Sequence, residues 1–438
     1  MKTNLLIIVH SIDVTNRILV GFCKNINRDF FDIKVLAHDG IGGKEKDLSD
    51  IGIEYAVANG DIEIIAQAIK KWQIDAIFMI RGGGYTQLQF EIFSRARTIN
   101  PSMVILENNF FGRYDAKSYP FIDCSLQVSK MMLNERYLKE GGQFNFAKVK
   151  ILYHPVDFQS WDKINITESE IKDFKNKLRI KDSDFVIGKL GRPAIEKWSD
   201  LLLDMMPYLV KLVPNIKFIV QEMPDSRKRR VLKSKYKNYF ILLSKTLHDR
   251  EVALFYKTID VYTHASKIGE SFGMTLAEAG AFRKPVIVSS TPKKDNNQLE
   301  LIDHMKTGII ANHPQTFARA VEYLYKNQDI RIQMGEAARA KIENVYNPTK
   351  LAQQLEKLIV ETLAQKNQAV DPSARERYSK VEYYPSEAEI LAYKDEYKKR
   401  LKQEFGKLSI WECLINYLNR PRKFYFKLRD FAEHRFGI

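Results

Sequence analysis

Short apolar runs rich in β-branched residues alternate with amphipathic stretches along most of this chain. In the first third, the runs at residues 5–9, 33–37, 76–80 and 103–107 predict strands, and residues 62–72 and 88–98 predict helices. Strands that are apolar throughout and separated by helices are typical of a parallel sheet covered on both faces. Ligands of such sheets bind beyond the carboxyl ends of the strands.

The same pattern resumes after a polar, charge-rich stretch at residues 157–184. A helix is predicted at residues 200–213, with Ser199 as its N-cap and Pro214 as its end. Two more helices are predicted at residues 251–257 and 316–326. Further strands are predicted at residues 185–190, 216–221, 239–243, 261–264, 286–289 and 309–311.

The length of the chain agrees with this division, because 438 residues are too many for one ordinary core. We therefore expect an α/β protein whose two Rossmann-like parallel-sheet lobes, residues 1–165 and 180–362, face a central cleft. Polar composition from residue 366, followed by amphipathic stretches near residues 386–406 and 408–419, predicts a helical C-terminal extension over residues 366–438.

Cysteine content, apolar runs and charge limit the classes of protein. The three cysteines, Cys23, Cys124 and Cys413, have no spacing that predicts a disulfide framework or a zinc site. The first apolar run is too short for a signal peptide, and no run of about 18 apolar residues predicts a transmembrane helix, so we expect a cytoplasmic protein. The formal net charge of +15 favours an anionic partner, and nucleic acid, anionic lipid and a sugar nucleotide all fit.

Two glutamates separated by seven residues mark the most specific segment, residues 269–289. We expect Glu270 in a loop and Glu278 on a helix that Gly273 opens. The unpaired amides and positive dipole end of such a helix suit a diphosphate, and the carboxylates can accept hydrogen bonds from hydroxyl groups on either side. Taken alone, this spacing is also typical of ordinary surface carboxylates. The residues expected to bind a donor here are Glu278, Ser271, Phe272, Gly273, Met274 and Thr275.

A second segment, residues 188–198, places Gly191, Arg192 and Lys197 just after the first strand of the second lobe. Two cations at the mouth of a strand can meet a phosphate, although a solvated pair at a helix start gives the same pattern. When a nucleoside diphosphate leaves an anomeric carbon, negative charge develops on the phosphate, and fixed cations stabilise it. We expect no metal or other cofactor for such a step.

These two segments, in this order, resemble the retaining glycosyltransferases of family 4, which belong to the group 1 glycosyltransferases and have the GT-B fold. The resemblance covers residues 150–361. It includes residues 149–157 at the end of the first lobe, residues 247–266 before the glutamate segment and residues 299–310 after it.

The resemblance implies three catalytic residues, with Glu270 on the transferred sugar and Arg192 with Lys197 on the diphosphate. It also implies that Glu278 binds the ribose and that Leu247 lies in the loop that binds the base. The implied reaction transfers a hexose from a nucleotide diphosphate sugar with retention of configuration, and the leaving phosphate helps to deprotonate the acceptor. The implied acceptor is a glycan, a lipid-linked saccharide or another acceptor, most commonly in bacterial surface polysaccharide or glycoconjugate synthesis.

Candidates for further sugar or acceptor contacts are less specific. His10 follows the first strand, where the family usually has a glycine-rich loop that this chain lacks. Arg81, Gly82 and Gly83 follow the strand at residues 76–80, although a tight turn explains the glycines equally well. His264 ends a strand at the same edge, where a structural role also explains it.

The tail from Arg420 to Arg435 interleaves cations with aromatic residues. This pattern fits binding to an anionic membrane surface, which would place the protein at the cytoplasmic face of a membrane, and it also fits packing across the lobes.

Two alternative functions are a sugar-nucleotide epimerase of the same fold and a basic nucleic-acid-binding protein. No nucleic-acid partner is expected, because the sequence contains no known nucleic-acid-binding module. A nicotinamide dehydrogenase is disfavoured because no G-x-G-x-x-G follows the first strand of either lobe.

Overall fold

Two parallel β-sheets with helices around them form the two lobes of the protein. The computed structural model describes residues 2–406 and 408, apart from 14–16, 44, 84–85, 141–143 and 245–247. The first sheet has seven strands in the order β3-β2-β1-β4-β5-β6-β7. Its strands are β1 (Thr3–Asp13), β2 (Phe31–Gly42), β3 (Glu54–Val57), β4 (Ala76–Arg81), β5 (Val104–Asn109), β6 (Cys124–Gln127) and β7 (Val149–Ile151).

The helices of the first lobe cover this sheet because its central strands are apolar on both faces. Every residue of β4 is buried, as are Leu5 to Val9 of β1. The helices are α1 (Arg17–Asn25), α2 (Glu45–Ser49), α3 (Ile62–Lys71), α4 (Gln87–Ile99) and α5 (Lys130–Glu140). The predicted strands and helices of this lobe are confirmed, whereas β3, β6 and β7 were not predicted because polar residues interrupt each of these short segments.

The second sheet has six strands in the order β10-β9-β8-β11-β12-β13. Its strands are β8 (Phe185–Lys189), β9 (Ile216–Gln221), β10 (Phe240–Leu243), β11 (Val261–His264), β12 (Val286–Val288) and β13 (Gly308–Ile310). The helices between the two sheets and around the second are α6 (Phe158–Lys163), α7 (Glu168–Lys177), α8 (Leu201–Asp204), α9 (Met206–Leu212), α10 (Asp225–Leu232), α11 (Asp249–Thr258), α12 (Met274–Ala281), α13 (Gln298–Leu301), α14 (Pro314–Lys326) and α15 (Gln328–Val345).

One predicted helix of this lobe is wrong in detail. Residues 200–213 form two short helices, α8 and α9, rather than one. The break falls beside Pro207, which has no N–H to continue the helical hydrogen bonds. Ser199 is not the N-cap, because α8 begins after Asp200, and the Ser199 hydroxyl instead accepts a hydrogen bond from the amide of Leu201.

The C-terminal helices return the chain to the first lobe. Helix α16 (Pro348–Gln365) packs on α1, where Glu356 accepts a hydrogen bond from the amide of Asn27. It is followed by α17 (Pro372–Ser379) and α18 (Glu387–Leu401), so the predicted extension is helical where the structure describes it. The predicted helix at residues 408–419 and the tail from Arg420 to Arg435 lie outside the described residues. No helix within residues 2–406 is long and apolar enough to cross a membrane.

A hydrophobic cluster joins the two lobes close to the start of α12. Tyr153, which follows the last strand of the first lobe, contacts Tyr346 with ring centroids 5.2 Å apart. Phe272, on the loop before α12, contacts the same Tyr346 ring at 5.4 Å. The loop that carries Glu270 is therefore anchored in a core that both lobes share.

Candidate functional site

The loop between β11 and α12 carries Glu270, and two glycines shape it. Gly269 has φ +67°, and a side-chain carbon there would lie 1.5 Å from the carbonyl oxygen of Asp295, so no other residue fits without rearrangement. Gly273 has φ +102° and is the N-cap of α12, as expected for the residue that opens this helix. These two positions therefore fix the backbone conformation of the loop.

Buried amides secure this loop against the start of α13. Gln298 accepts a hydrogen bond from the amide of Glu270 at 3.2 Å, and the amide of Asn297 donates to the Glu270 carbonyl at 2.9 Å. Asn297 Nδ2 also donates to the carbonyl of Phe272 at 2.8 Å. Neither residue was predicted as part of the site, because an Asn-Gln pair has no spacing that distinguishes it from surface polar residues.

The Glu270 carboxylate lies between a lysine and a histidine. Lys197 Nζ donates to Oε2 at 3.0 Å and to the Gly269 carbonyl at 3.1 Å, while His264 Nε2 lies 3.1 Å from Oε1. Burial alone would raise the pKa of Glu270, but its contacts with His264 and Lys197 outweigh burial and lower that pKa to about 2. The carboxylate is therefore charged at neutral pH.

The predicted pair Arg192 and Lys197 takes up different positions. Lys197 ends a short 3-10 helix, Ile195–Lys197, and points to Glu270. Arg192 is exposed on the same loop, and its carbonyl accepts a hydrogen bond from Trp198 Nε1 at 3.0 Å. Gly191 has open space where a side chain would stand. The structure thus brings Lys197 and Glu270 together and leaves Arg192 at the surface beside them.

Glu278 is bound by side chains from both lobes. Its side chain is only 4% exposed, and it forms an ion pair with Arg17 of α1. Arg17 also pairs with Asp249 at 3.1 Å and lies 4.7 Å from the centroid of the Trp161 ring. Tyr256 donates to Glu278 Oε2 at 3.1 Å. Arg17 was not predicted, because its contact with Glu278 joins residues 261 positions apart.

The start of α12 combines core and surface positions. Phe272 is buried against His154 and Tyr346, so its side chain belongs to the core. Ser271, Met274 and Thr275 are half-buried. Met274 lines an opening between the lobes whose other walls include Arg17, Lys24, Asp157, Ser160, Asp249 and Glu278.

The first-lobe candidates lie apart from the Glu270 cluster. The His10 side chain is largely exposed, with Nε2 3.4 Å from Asp39. Arg81 is fully buried, pairs with Glu107 at 3.1 Å and donates to the Gly83 carbonyl at 3.2 Å, which gives it a structural role in the turn that holds Gly82. Leu247 lies outside the described residues. Of the five candidates for extra sugar or acceptor contacts, His264 contacts Glu270.

Comparisons with known proteins agree with this arrangement. A family model described as glycosyl transferases group 1 matches residues 170–341. Alpha-monoglucosyldiacylglycerol synthase of Acholeplasma laidlawii is 27% identical over 195 residues, which cover 44% of this chain and 46% of that protein. The putative glycosyltransferase YtcC of Bacillus subtilis is 21% identical over 328 residues, covering 71% of this chain and 78% of that protein. The chain therefore spans less than half the length of the first of these relatives.

Two solved structures share the fold. Alr3699/HepE of Anabaena, solved in complex with UDP, superposes with a TM-score of 0.65 at 16% identity and covers 83% of this chain and 100% of its own. A glycosyltransferase from Rickettsia africae superposes with a TM-score of 0.67 at 18% identity, covering 83% of this chain and 99% of its own. The two parallel-sheet lobes, which superpose on these structures, define the GT-B fold, and the predicted fold class is confirmed.

Residues 170–341 match the model of the group 1 glycosyltransferases, in agreement with the resemblance found in the sequence.

Proposed function

We propose that this chain is a retaining glycosyltransferase of family 4 that transfers a hexose from a nucleotide diphosphate sugar. The observation that carries the proposal is the Lys197–Glu270 pair, 3.0 Å apart, on two loops that meet beside the start of α12. The Anabaena neighbour has also been solved with UDP-glucose, and the Acholeplasma relative is named as a synthase of a glucosylated lipid, which supports this class of donor.

Lys197 is suited to a phosphate of the leaving group. An ammonium has three N–H donors, and two of them are used by the Gly269 carbonyl and by Glu270. The third can meet a phosphate oxygen, and exposed Arg192 can reach it from the same loop. Positive charge fixed there stabilises the negative charge that develops as the diphosphate departs, so the proposed step needs no metal ion.

Glu270 is suited to bind hydroxyl groups of the sugar rather than to donate a proton. With a pKa of about 2 it stays a carboxylate, which only accepts hydrogen bonds. Its negative charge also favours the oxocarbenium character of the departing sugar. In this proposal the leaving phosphate, not Glu270, removes the proton of the acceptor hydroxyl.

Glu278 is proposed to bind the ribose, which requires an exchange of partners. Arg17 pairs with the Glu278 carboxylate in the described structure. The ribose hydroxyls would take the place of the Arg17 guanidinium, and Tyr256 would keep its hydrogen bond at 3.1 Å. Binding of the donor would therefore break the Arg17–Glu278 ion pair, which joins the two lobes.

A panel of nucleoside diphosphates and their sugars tests the proposed donor class by thermal shift. A ligand at a hundred times its dissociation constant adds about 2.7 kcal/mol to the free energy of unfolding. We expect one base and one sugar to raise the melting temperature most. If no nucleotide raises it, the proposed function is wrong, and a salt-sensitive gel shift would then favour the nucleic-acid-binding alternative.

Substitution of Lys197 tests the chemistry. Lys197→Ala should lower turnover by about a hundredfold, because it removes a fixed donor to the developing charge. Lys267→Ala is the matched control, since Lys267 is an exposed lysine in the segment between β11 and Glu270. Near-normal turnover of the Lys197 variant would contradict the phosphate role. Conversion of the donor to an epimer without any acceptor would favour the epimerase instead.

The acceptor is proposed to be a glycan, a lipid-linked saccharide or another acceptor in bacterial polysaccharide or glycoconjugate synthesis. We further propose that the enzyme acts in the cytoplasm, at an anionic membrane surface that the tail from Arg420 to Arg435 contacts. Removal of residues 420–438 should weaken co-sedimentation with vesicles of anionic phospholipid and leave donor hydrolysis intact. Unchanged sedimentation would contradict the membrane role of the tail.

A further inference from the structure

Lys189 is a lysine whose charge is buried at the end of a central strand. It is the last residue of β8, is 1% exposed and contacts the Trp198 ring, with Nζ 4.7 Å from the ring centroid. Burial lowers the pKa of Lys189 to about 7, and the negative charge of Glu270 opposes that shift. A lysine in such a place carries a desolvation cost that an apolar residue would avoid.

The polar partner of Lys189 is His264. Lys189 Nζ lies 3.3 Å from His264 Nδ1, and the opposite ring nitrogen, Nε2, lies 3.1 Å from Glu270 Oε1. His264 is itself buried. The three side chains therefore form a row that ends on the carboxylate proposed to bind the sugar, while Lys197 contacts the other carboxylate oxygen.

The donors in this row select one tautomer of the histidine. Below its pKa of about 7, Lys189 is an ammonium and has only donors, so Nδ1 then accepts from Lys189 and the single proton of a neutral imidazole lies on Nε2. Burial and the neighbouring charge of Lys189 lower the pKa of His264 to about 4, which keeps the ring neutral at pH 7. With the proton on Nε2, the ring places an N–H beside Glu270, 3.1 Å from Oε1. With the proton on Nδ1, it would present a lone pair to the carboxylate.

We infer that Lys189 is a positioning residue for Glu270: it holds His264 as the Nε2–H tautomer, and His264 in turn holds the carboxylate in the orientation that receives the sugar. This inference deepens the proposed function and rests on it for the role of Glu270. Lys197 and Asp295 also face the cluster and contribute to its charge balance. Because Lys189 does not contact Glu270 directly, its effect passes through the histidine ring.

The tautomer can be measured without any substrate. In the full chain labelled with ¹⁵N-histidine, long-range ¹H–¹⁵N correlations distinguish Nδ1–H from Nε2–H rings, and His264→Gln assigns the signal among the eight histidines. At pH 6, where Lys189 is charged and the ring is neutral, we expect His264 to be the Nε2–H tautomer in the unmodified protein. Lys189→Met, which removes the donor at similar length, should convert the His264 ring to a mixture of tautomers or to the Nδ1–H form. Lys189→Gln, which keeps a neutral donor, should restore the Nε2–H tautomer.

Steady-state kinetics of the same two Lys189 variants distinguish a positioning role from a purely structural one. Lys189→Met should lower kcat by about tenfold through misplacement of Glu270, with Lys189→Gln recovering part of the loss. The donor KM should change by less than about twofold, because the phosphate contacts remain. The thermal shift given by the best nucleotide should be retained in both variants.

Each outcome has a separate meaning. An Nδ1–H ring in the unmodified protein, or an unaltered tautomer in Lys189→Met, overturns the inference even if transfer activity is normal. If Lys189→Met does not fold, the tautomer of His264 in the unmodified protein and in Lys189→Gln decides the inference. Absence of any nucleotide shift in the unmodified protein refutes the proposed function instead, whatever the tautomer of His264.

Discussion

Acidification from pH 7 to pH 5 should weaken the folded state, and two buried histidines should contribute much of the change. Burial lowers the pKa of His154 to about 3, and burial together with the charge of Lys189 lowers the pKa of His264 to about 4. In the unfolded chain both pKa values return to about 6.5. Below that pH the unfolded chain takes up protons that the folded protein does not, so stability is lost as the pH falls.

The size of the effect follows from these pKa values. At pH 5 an unfolded histidine is almost fully protonated while both folded rings are still mostly neutral, which costs about 2 kcal/mol for each residue relative to pH 7. The two together remove about 4 kcal/mol, a large part of the 5–15 kcal/mol typical of a folded domain. Buried Glu300 acts in the opposite sense, because its raised pKa makes the folded state take up a proton more readily than the unfolded chain.

Comparison of variants isolates the histidines from such carboxylates. Urea unfolding would be measured at pH 7, 6 and 5 for the unmodified protein, His154→Gln and His264→Gln, with free energies obtained by linear extrapolation. Each variant should lose about 2 kcal/mol less than the unmodified protein between pH 7 and pH 5. Glutamine keeps an amide that can donate to Asn108 Oδ1, which now lies 3.1 Å from His154 Nε2. Equal losses in all three proteins would refute the reasoning.

Two further predictions concern the loop and the contact between the lobes. Gly269→Ala should displace the Glu270 loop and destabilise the protein by about 1–3 kcal/mol or more, because Gly269 combines a positive φ with no room for a side chain. Gly40→Ala, at a position with open space, is the control. Equal melting temperatures of the two variants would contradict the prediction. Arg17→Met should tighten nucleotide diphosphate binding by about fivefold in calorimetry, because a competing ion pair worth about 1 kcal/mol is removed. Weaker binding would mean that Arg17 contacts the nucleotide itself.

The parts of the fold that could be predicted are those encoded locally. Strands β9 and β11 match their predicted bounds because each is a short apolar run between polar turns. Gly273 opens α12 as predicted, since a glycine before an apolar helical stretch is a local signal. The break beside Pro207 was also readable from the sequence, but the apolar pattern on both sides of it favoured one helix.

The parts of the site that could not be predicted depend on contacts between distant segments. The Arg17–Glu278 pair forms only because the first lobe packs against the second. His264 was predicted at the edge of the sheet, yet its position between Lys189 and Glu270 depends on how β8 and β11 lie side by side. A lysine inside the apolar run of β8 was nevertheless a visible signal, because charged residues are rarely buried without a partner.

The packing of α16 on α1 has a consequence for synthesis on the ribosome. The first sheet is complete at Ile151, but the helix that covers α1 begins only at Pro348. At about 5–20 residues per second, the roughly 200 residues in between take about 10–40 s to appear. During that time the face of α1 that packs against α16 lacks its covering helix. The nascent first lobe therefore exposes this face of α1 until α16 has been synthesised.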